Sequence, residues 1–346
     1  MRSPLYDILK TQGAVFKSYD EFLFELPAHF VSIQQEYRSL KQACVCIDFS
    51  YYGSIKLTGK HAQDFLNRMS TNNLKNLNIN EFTSTVLTND KGRIIDLIVV
   101  YRLVDGLLIT TSPQNHINII AWLEKYIIMD DVKIENLSSK IIQLGLIGPR
   151  SADVLITMTA MDPPKQNHVV QFLIAGNSIY VARSHQLDEG FLLVTDISGI
   201  DALWNLFVAQ DIGVCGMDAY LAARIEQRKP IFRRELTDKY NPLEAGLAQA
   251  VSFNKGCYIG QEVIARLDSY NKIQKHLVLL KSEEPVSLGS KITAGNQEIG
   301  IVTSSSYSYS NKQNLALGYV KTEFTSGTAS FTIFTDGKLI HAEICP

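Results

Sequence analysis

Lys255-Gly256-Cys257-Tyr258-Ile259-Gly260-Gln261-Glu262 sets a thiol between two glycines, with a lysine two positions before it and Arg266 nine positions after. Cations beside a thiol favour the nucleophilic thiolate, and glycines permit positive φ and close approach of backbone to a ligand. On this reading Cys257 is a candidate reactive thiol with Lys255 as its neighbouring cation. The same residues also describe a small buried hydrophobe in a tight turn. Residue types leave the two open, because a lone cysteine is a weak catalytic signal. A second candidate is Asp96, inside Ile94-Ile95-Asp96-Leu97-Ile98-Val99-Val100. In a strand it shares a face with Ile94, Ile98 and Val100, where a carboxylate is costly unless paired or hydrogen-bonded. Its pKa should rise there unless a cation is close. Such groups cluster at functional sites, although pairing with an arginine would also explain one. A third candidate is the charged run from Arg224 to Glu235, expected to be mostly a solvated helix end. Within it Arg224 and Glu226, two apart, do not face each other on a regular helix. Glu189-Gly190-Phe191 and Glu244-Ala245-Gly246 are further acidic turns.

The elements that must position these groups are mostly antiparallel. Thr83 to Leu87 and Arg93 to Leu103 read as strands around an Asn89-Asp90-Lys91-Gly92 turn, and Leu107 to Thr111 follows an Asp105-Gly106 turn. Helical spacing marks Thr58 to Met69 and, with Ile117, Ile120 and Leu123 as its apolar face, Gln114 to Tyr126. Ile141 to Ile147 is a strand, with Ser151 as N-cap of the next helix. Ser178 to Ala182 and Gly190 to Val194 are strands; Asp201 to Ala209 and Asp218 to Gln227 are helices, the second ending before Pro230. From Leu277 onward short alternating segments predict a small β-barrel or sandwich: 277–280, 291–294, 299–303, 315–320, 329–334 and 339–344. Turns at Ala294-Gly295-Asn296 and Asp336-Gly337 separate some of them. The Ser/Tyr alternation of Ser304 to Ser310 reads as an exposed loop or strand edge. Hairpins with intervening helices indicate an α+β fold, and no G-x-G-x-x-G marks a dinucleotide site.

A chain of 346 residues is long for one core. Its net charge of −2 gives no expectation of nucleic-acid or membrane binding. The cysteines at 44, 46, 215, 257 and 345 lack zinc spacing, so no metal site is expected. Their odd number fits a reducing compartment. The N-terminus has no leader pattern and no apolar stretch approaches spanning length, so a soluble, cytoplasmic protein is expected.

Together these segments resemble the YgfZ/GcvT superfamily, and within it the YgfZ-type folate-binding proteins. Lys255 to Glu262 with Arg266 is similar to the K-G-C-[FY]-x-G-Q-E-x₃-R signature of that branch. Asp48-Phe49-Ser50, Leu87-Thr88-Asn89-x-x-Gly92 before Asp96, Arg224-x-Glu226, Pro242-x-Glu244-Ala245-Gly246 and Ala316-Leu317-Gly318-Tyr319-Val320 also match. The resemblance implies a three-lobed cloverleaf around a central channel for tetrahydrofolate or a one-carbon derivative, plus a C-terminal β-barrel. The implied division is 1–50 with 141–240 as interleaved lobes, 51–140 as an antiparallel sheet with helices, 241–276 lining the channel and 277–346 as the barrel. It makes Glu226 the pterin-recognising carboxylate, since a carboxylate accepts paired N–H donors in fixed geometry. Arg228, Arg233 and Arg266 become candidates for the folate glutamyl carboxylates. The resulting site set is Cys257, Asp96 and Lys255 for chemistry, with Glu226, Arg224, Arg266, Glu189 and Tyr258 for the folate.

The family's aminomethyltransferases, related to the glycine cleavage T-protein, carry a second aspartate where this chain has Leu97 and a glycine where it has Arg228, and they lack the cysteine. The resemblance therefore implies the branch linked to tRNA modification and to assembly or repair of iron–sulfur clusters, with iron–sulfur proteins as clients. A folate-dependent aminomethyltransferase is the alternative, and a binding module with an inert, buried cysteine is a third.

Overall fold

The computed structural model describes residues 1–270, 272–325 and 330–345. The chain divides into two compact units: residues 1–69, 73–85 and 97–220 form the first, and 70–72, 86–96 and 221–346 the second. Among the described residues no helix is long and apolar enough to cross a membrane.

The first unit holds a six-stranded sheet in the order Val169–Ile174, Asn177–Arg183, Gly190–Asp196, Ile141–Ile147, Val45–Asp48, Gly213–Val214. Its pairs are antiparallel except the last. Alternation puts Ile142, Leu144, Leu146, Ile179, Val181, Phe191 and Leu193 on a face covered by Leu155, Leu203, Trp204 and Phe207 from two helices. A five-stranded sheet runs Glu81–Thr88, Ile94–Leu103, Gly106–Thr111, Gly53–Thr58, Lys133–Asn136. The turn joining its first two strands, with their adjoining ends, is residues 86–96 of the second unit. An N-terminal hairpin, Val15–Tyr19 with Phe24–His29, and the Ser32-capped helix Ile33–Gln42 complete the part that sequence reading left blank.

Two local expectations shift. The helix over Gln114 to Tyr126 is His116–Glu124 and buries His116, Ile119 and Leu123, while Ile117 is 58 % exposed. Its phase is set by Gly53: a Cβ there would lie 2.7 Å from the Cβ of His116, so the absent side chain admits His116. The helix after Gly148-Pro149 starts at Ser151, which is its first residue rather than its cap.

In the second unit Lys275–Ser282, Gln313–Lys321, Gln297–Ser308, Lys291–Ala294, Ser330–Thr335 and Lys338–Ile344 close into a barrel. Period-two pairs such as Phe331/Ile333 and Ile340/Ala342 fill it. Residue 329 of the expected fifth strand lies outside the described residues. Ser304 to Ser308 are not a loop: they extend the third of these strands, and Ser304 and Ser308 are buried. Thr303 is the cause. The register passes from Val302↔Gly318 to Ser304↔Leu317, so Thr303 is an extra residue, a β-bulge. A bulge re-aims the side chains that follow it. Val302 points into the barrel core with Ala316 and Val320. Ser304 and Ser306 instead pair with Leu317 and Leu315, which pack outside that core against Ile225.

Candidate functional site

The hairpin turn and the K-G-C segment are docked backbone to backbone. Asn89 folds the turn on itself: its side-chain oxygen accepts from the N–H groups of Lys91 and Arg93, both at 3.0 Å. Gly92 has φ +66° and Gly260 φ +83°, and a Cβ on Gly260 would meet the Asn89 carbonyl at 2.6 Å and the Gly92 Cα at 2.9 Å. Only glycine satisfies both the turn and the approach. Gly256 has no positive φ, and a Cβ there would meet nothing within 4 Å. Gly260 also opens the helix Gln261–Ser269.

The other residues of the segment are spent on holding it. Thr88 Oγ1 donates to the Ile259 carbonyl at 2.6 Å. Lys255 Nζ donates to the carbonyls of Ser70 and Asn72 at 2.8 and 2.5 Å and lies 5.4 Å above the Tyr258 ring. Tyr258 is buried with Leu243, Val251 and Ile264, and burial pushes its phenol up to about 12. Cys257, between these anchors, is an exposed free thiol. The buried-cysteine reading is therefore wrong for this position. Lys255, placed by its spacing as the thiol's cation, donates to backbone carbonyls. Arg266 is exposed on the helix that follows.

Asp96 is where the strand pattern put it, at 0 % exposure on the face of Ile94, Ile98 and Val100, all buried. From that strand a chain of contacts leads through the second unit. The Ile94 N–H donates to the Tyr240 carbonyl at 3.0 Å. Tyr240 stacks on Tyr319 with centroids 3.4 Å apart, and the Tyr319 hydroxyl donates to the Glu235 carbonyl at 2.9 Å. Arg93 adds an ion pair to Glu244 at 3.2 Å; Glu244 also accepts from the Asn241 N–H at 3.0 Å.

The charged run is only partly a solvated face. Glu235 is 0 % exposed and Arg224 2 %. They pair at 3.2 Å, and the same Glu235 oxygen accepts from the Ile231 N–H at 3.0 Å. Arg224 Nη2 donates to Ser304 Oγ at 2.6 Å, and Ser304 donates to the other Glu235 oxygen at 2.7 Å. Glu226, half-buried, accepts from Ser308 Oγ at 2.6 Å. Arg224 and Glu226 thus bond different serines. They reach one strand at two points, because the helix Met217–Glu226 ends here. The Arg228 N–H donates to the Ile225 carbonyl and the Lys229 N–H to the Arg224 carbonyl, at 3.0 and 2.9 Å. This is a Schellman closure, whose C′ residue is usually glycine in the left-handed region. Arg228 fills it with φ +54° and donates to the Cys345 carbonyl at 3.1 Å.

Asp96, Lys255, Cys257, Tyr258, Arg224, Glu226 and Arg266 accordingly all belong to the second unit. Glu189 belongs to the first, exposed before the strand Gly190–Asp196, with its carbonyl accepting from the Gly148 N–H at 3.1 Å. Sequence reading missed Ser304, Ser308, Glu235 and the Tyr240–Tyr319 stack. The serine alternation was the available signal for the first two.

The chain matches the model of the GCVT N-terminal domain over residues 5–255 and that of the glycine cleavage T-protein C-terminal barrel domain over 275–346. A chloroplastic Arabidopsis thaliana protein bearing a provisional transferase name is 31 % identical over 305 residues, 87 % of this chain and 70 % of that protein. An aminomethyltransferase of Halalkalibacterium halodurans is 29 % identical, covering 93 % of this chain and 90 % of its own. The crystal structure of the glycine cleavage system aminomethyltransferase T of Bartonella henselae superposes with TM-score 0.90 at 21 % identity, over 100 % of this chain and 97 % of that one.

Proposed function

The chain belongs to the glycine cleavage T-protein family, and from that premise we propose that it is a tetrahydrofolate-dependent transferase of the aminomethyl kind. The observation that carries the proposal is Glu226, a half-buried carboxylate fixed by Ser308 at a closed helix end. Such a group suits a pterin, whose amino and ring N–H donors need a carboxylate in fixed orientation. The donor set fits in its charges too, since Arg228, Arg233 and Arg266 offer cations for the glutamyl carboxylates. Tetrahydrofolate, when bound, supplies the nitrogen that accepts the one-carbon unit. Asp96, on a buried strand face, is on this reading the group that positions the substrate amine or takes its proton.

A second reading rests on a different observation. Cys257 is exposed while its neighbours anchor the segment, as a working thiol requires. On that reading the protein is of the YgfZ type, binds folate and assists assembly or repair of iron–sulfur clusters in client enzymes.

The first reading is tested by tetrahydrofolate-dependent turnover of an aminomethyl-lipoyl carrier by wild type, Asp96→Asn and Cys257→Ala. Transfer chemistry predicts turnover that falls ~100-fold or more in Asp96→Asn, in line with the worth of a general base, and is unchanged in Cys257→Ala. No turnover, under conditions where an established aminomethyltransferase works, overturns the first reading. Loss of iron–sulfur enzyme activity in a deletion strain complemented with Cys257→Ala supports the second.

A further inference from the structure

The six-stranded sheet of the first unit ends at the strand Val169–Ile174. Three other edge strands of this unit carry the features that keep an edge from pairing with another chain. Val15–Tyr19 has Lys17 and a bulge between Val15 and Phe16, Lys133–Asn136 has Lys133 and Glu135, and Gly213–Val214 is two residues long. Val169–Ile174, reading Val-Val-Gln-Phe-Leu-Ile, has no charge, no proline and no bulge over its six residues, and its Leu173 is 70 % exposed.

The turn to the neighbouring strand fixes which backbone groups face outward. Ile174 and Asn177 flank a two-residue turn, Ala175-Gly176, with φ of 47° and 83°, as in a type I′ hairpin. The flanking pair of such a hairpin exchanges both hydrogen bonds, and bonded and non-bonded pairs then alternate. The N–H and C=O groups of Val170, Phe172 and Ile174 therefore point to Asn177–Arg183, and those of Val169, Gln171 and Leu173 point away. Val169 bears out this phase, since its N–H donates outward to the Asn80 carbonyl at 2.7 Å. Among the described residues the backbone groups of Gln171 and Leu173 have no partner.

These two open positions are symmetric about Phe172. A second copy laid antiparallel on the same edge sets Gln171 opposite Leu173 and Leu173 opposite Gln171, each pair exchanging two main-chain bonds. Phe172 then meets its own counterpart at a non-bonded pair, where side chains approach most closely, and Val170 faces Ile174. These three side chains are partly buried against the sheet's helix-covered core, so the pairing carries that core from one copy into the next. Any extended strand supplies the bonds; the two-fold fit, with no charge to repel its own copy, favours self-pairing.

We propose that the edge Val169–Ile174 is a self-association surface, on which two copies of this chain pair antiparallel about Phe172 and join their six-stranded sheets into one. The test is sedimentation velocity of the full-length protein over a range of concentrations, for wild type, Gln171→Pro and Leu173→Lys. Two strands meeting edge to edge bury much less than the roughly 1,200 Å² of a stable interface, so wild type is expected to pass from monomer to dimer through the micromolar range. Gln171→Pro removes an outward N–H, which an edge strand tolerates, and deprives the dimer of two main-chain bonds, about tenfold or more in dissociation constant. Leu173→Lys, at an exposed position, places a charge on the edge, should weaken the dimer at least as much, and serves alone if the proline variant misfolds. The register is read by mixing Gln171→Cys with Leu173→Cys, both in a Cys257→Ala background that removes the exposed thiol. Opposed pairs lie within disulfide reach and like residues do not, so the mixture should cross-link on mild oxidation and either protein alone should not. A wild type that stays monomeric overturns the proposal; if it then binds a synthetic apolar peptide of another sequence at this edge, the surface belongs to a foreign strand. Dimerisation unaffected by both variants places the contact elsewhere and overturns it, as does cross-linking of either protein alone as readily as the mixture.

Discussion

Two rungs join the same helix end to the same barrel strand, and they differ in burial. The inner rung, Arg224–Ser304–Glu235, is closed off from water and holds a full ion pair. The outer rung, Asn311–Ser308–Glu226, ends on a half-buried carboxylate. Similar donors and acceptors thus serve two ends. In a dry interior, breaking a charge pair leaves an uncompensated charge, so the inner rung is bound up with stability. At a half-open position a carboxylate can be oriented and still meet a ligand, so the outer rung suits recognition.

The largest effect expected is on the inner rung. Glu235→Ala leaves the Arg224 guanidinium buried without its counter-charge, and chemical denaturation should show a loss of about 3–5 kcal/mol. A loss below about 1 kcal/mol would mean that the pair is hydrated and that the two rungs do not differ. Ser304→Ala removes the bridging hydroxyl but keeps the ion pair, so about 1–3 kcal/mol is expected by the same measurement. The smallest effect has the opposite sign. Arg228 occupies a left-handed C′ position, and Arg228→Gly should stabilise the protein by roughly 0.5–1 kcal/mol, the relief of left-handed strain set against the flexibility glycine adds to the unfolded chain. Destabilisation instead would show that the hydrogen bond to the Cys345 carbonyl outweighs the strain.

Legibility in the sequence follows the range of the interactions. Asp336-Gly337 was readable because a two-residue turn specifies itself: both residues have positive φ, at 48° and 79°, and Thr335 pairs with Lys338. Asp96 was readable because strand alternation alone puts it on an apolar face. The phase of the helix His116–Glu124 was not, since the steric vacancy that sets it is Gly53, far away in the chain. Ser304 and Ser308 were missed for a related reason. A serine run is locally polar, and only a one-residue bulge at Thr303 and a distant helix end make it a buried ladder on the outer side of the barrel. Lys255 shows the converse: its spacing from Cys257 implied a thiol activator, yet its ammonium closes on the Ser70 and Asn72 carbonyls. Arg228 gives no local signal either: it fills the left-handed closure that glycine usually takes, and only the folded helix end shows it.

The most direct test of the account is calorimetric titration of tetrahydrofolate into wild type and Glu226→Gln, with their melting temperatures measured alongside. The outer rung as a recognition site predicts saturable binding by wild type, weakened by a factor of about 10 or more in Glu226→Gln with the melting temperature unchanged. Equal affinity in the two proteins, or no binding by wild type, would contradict it.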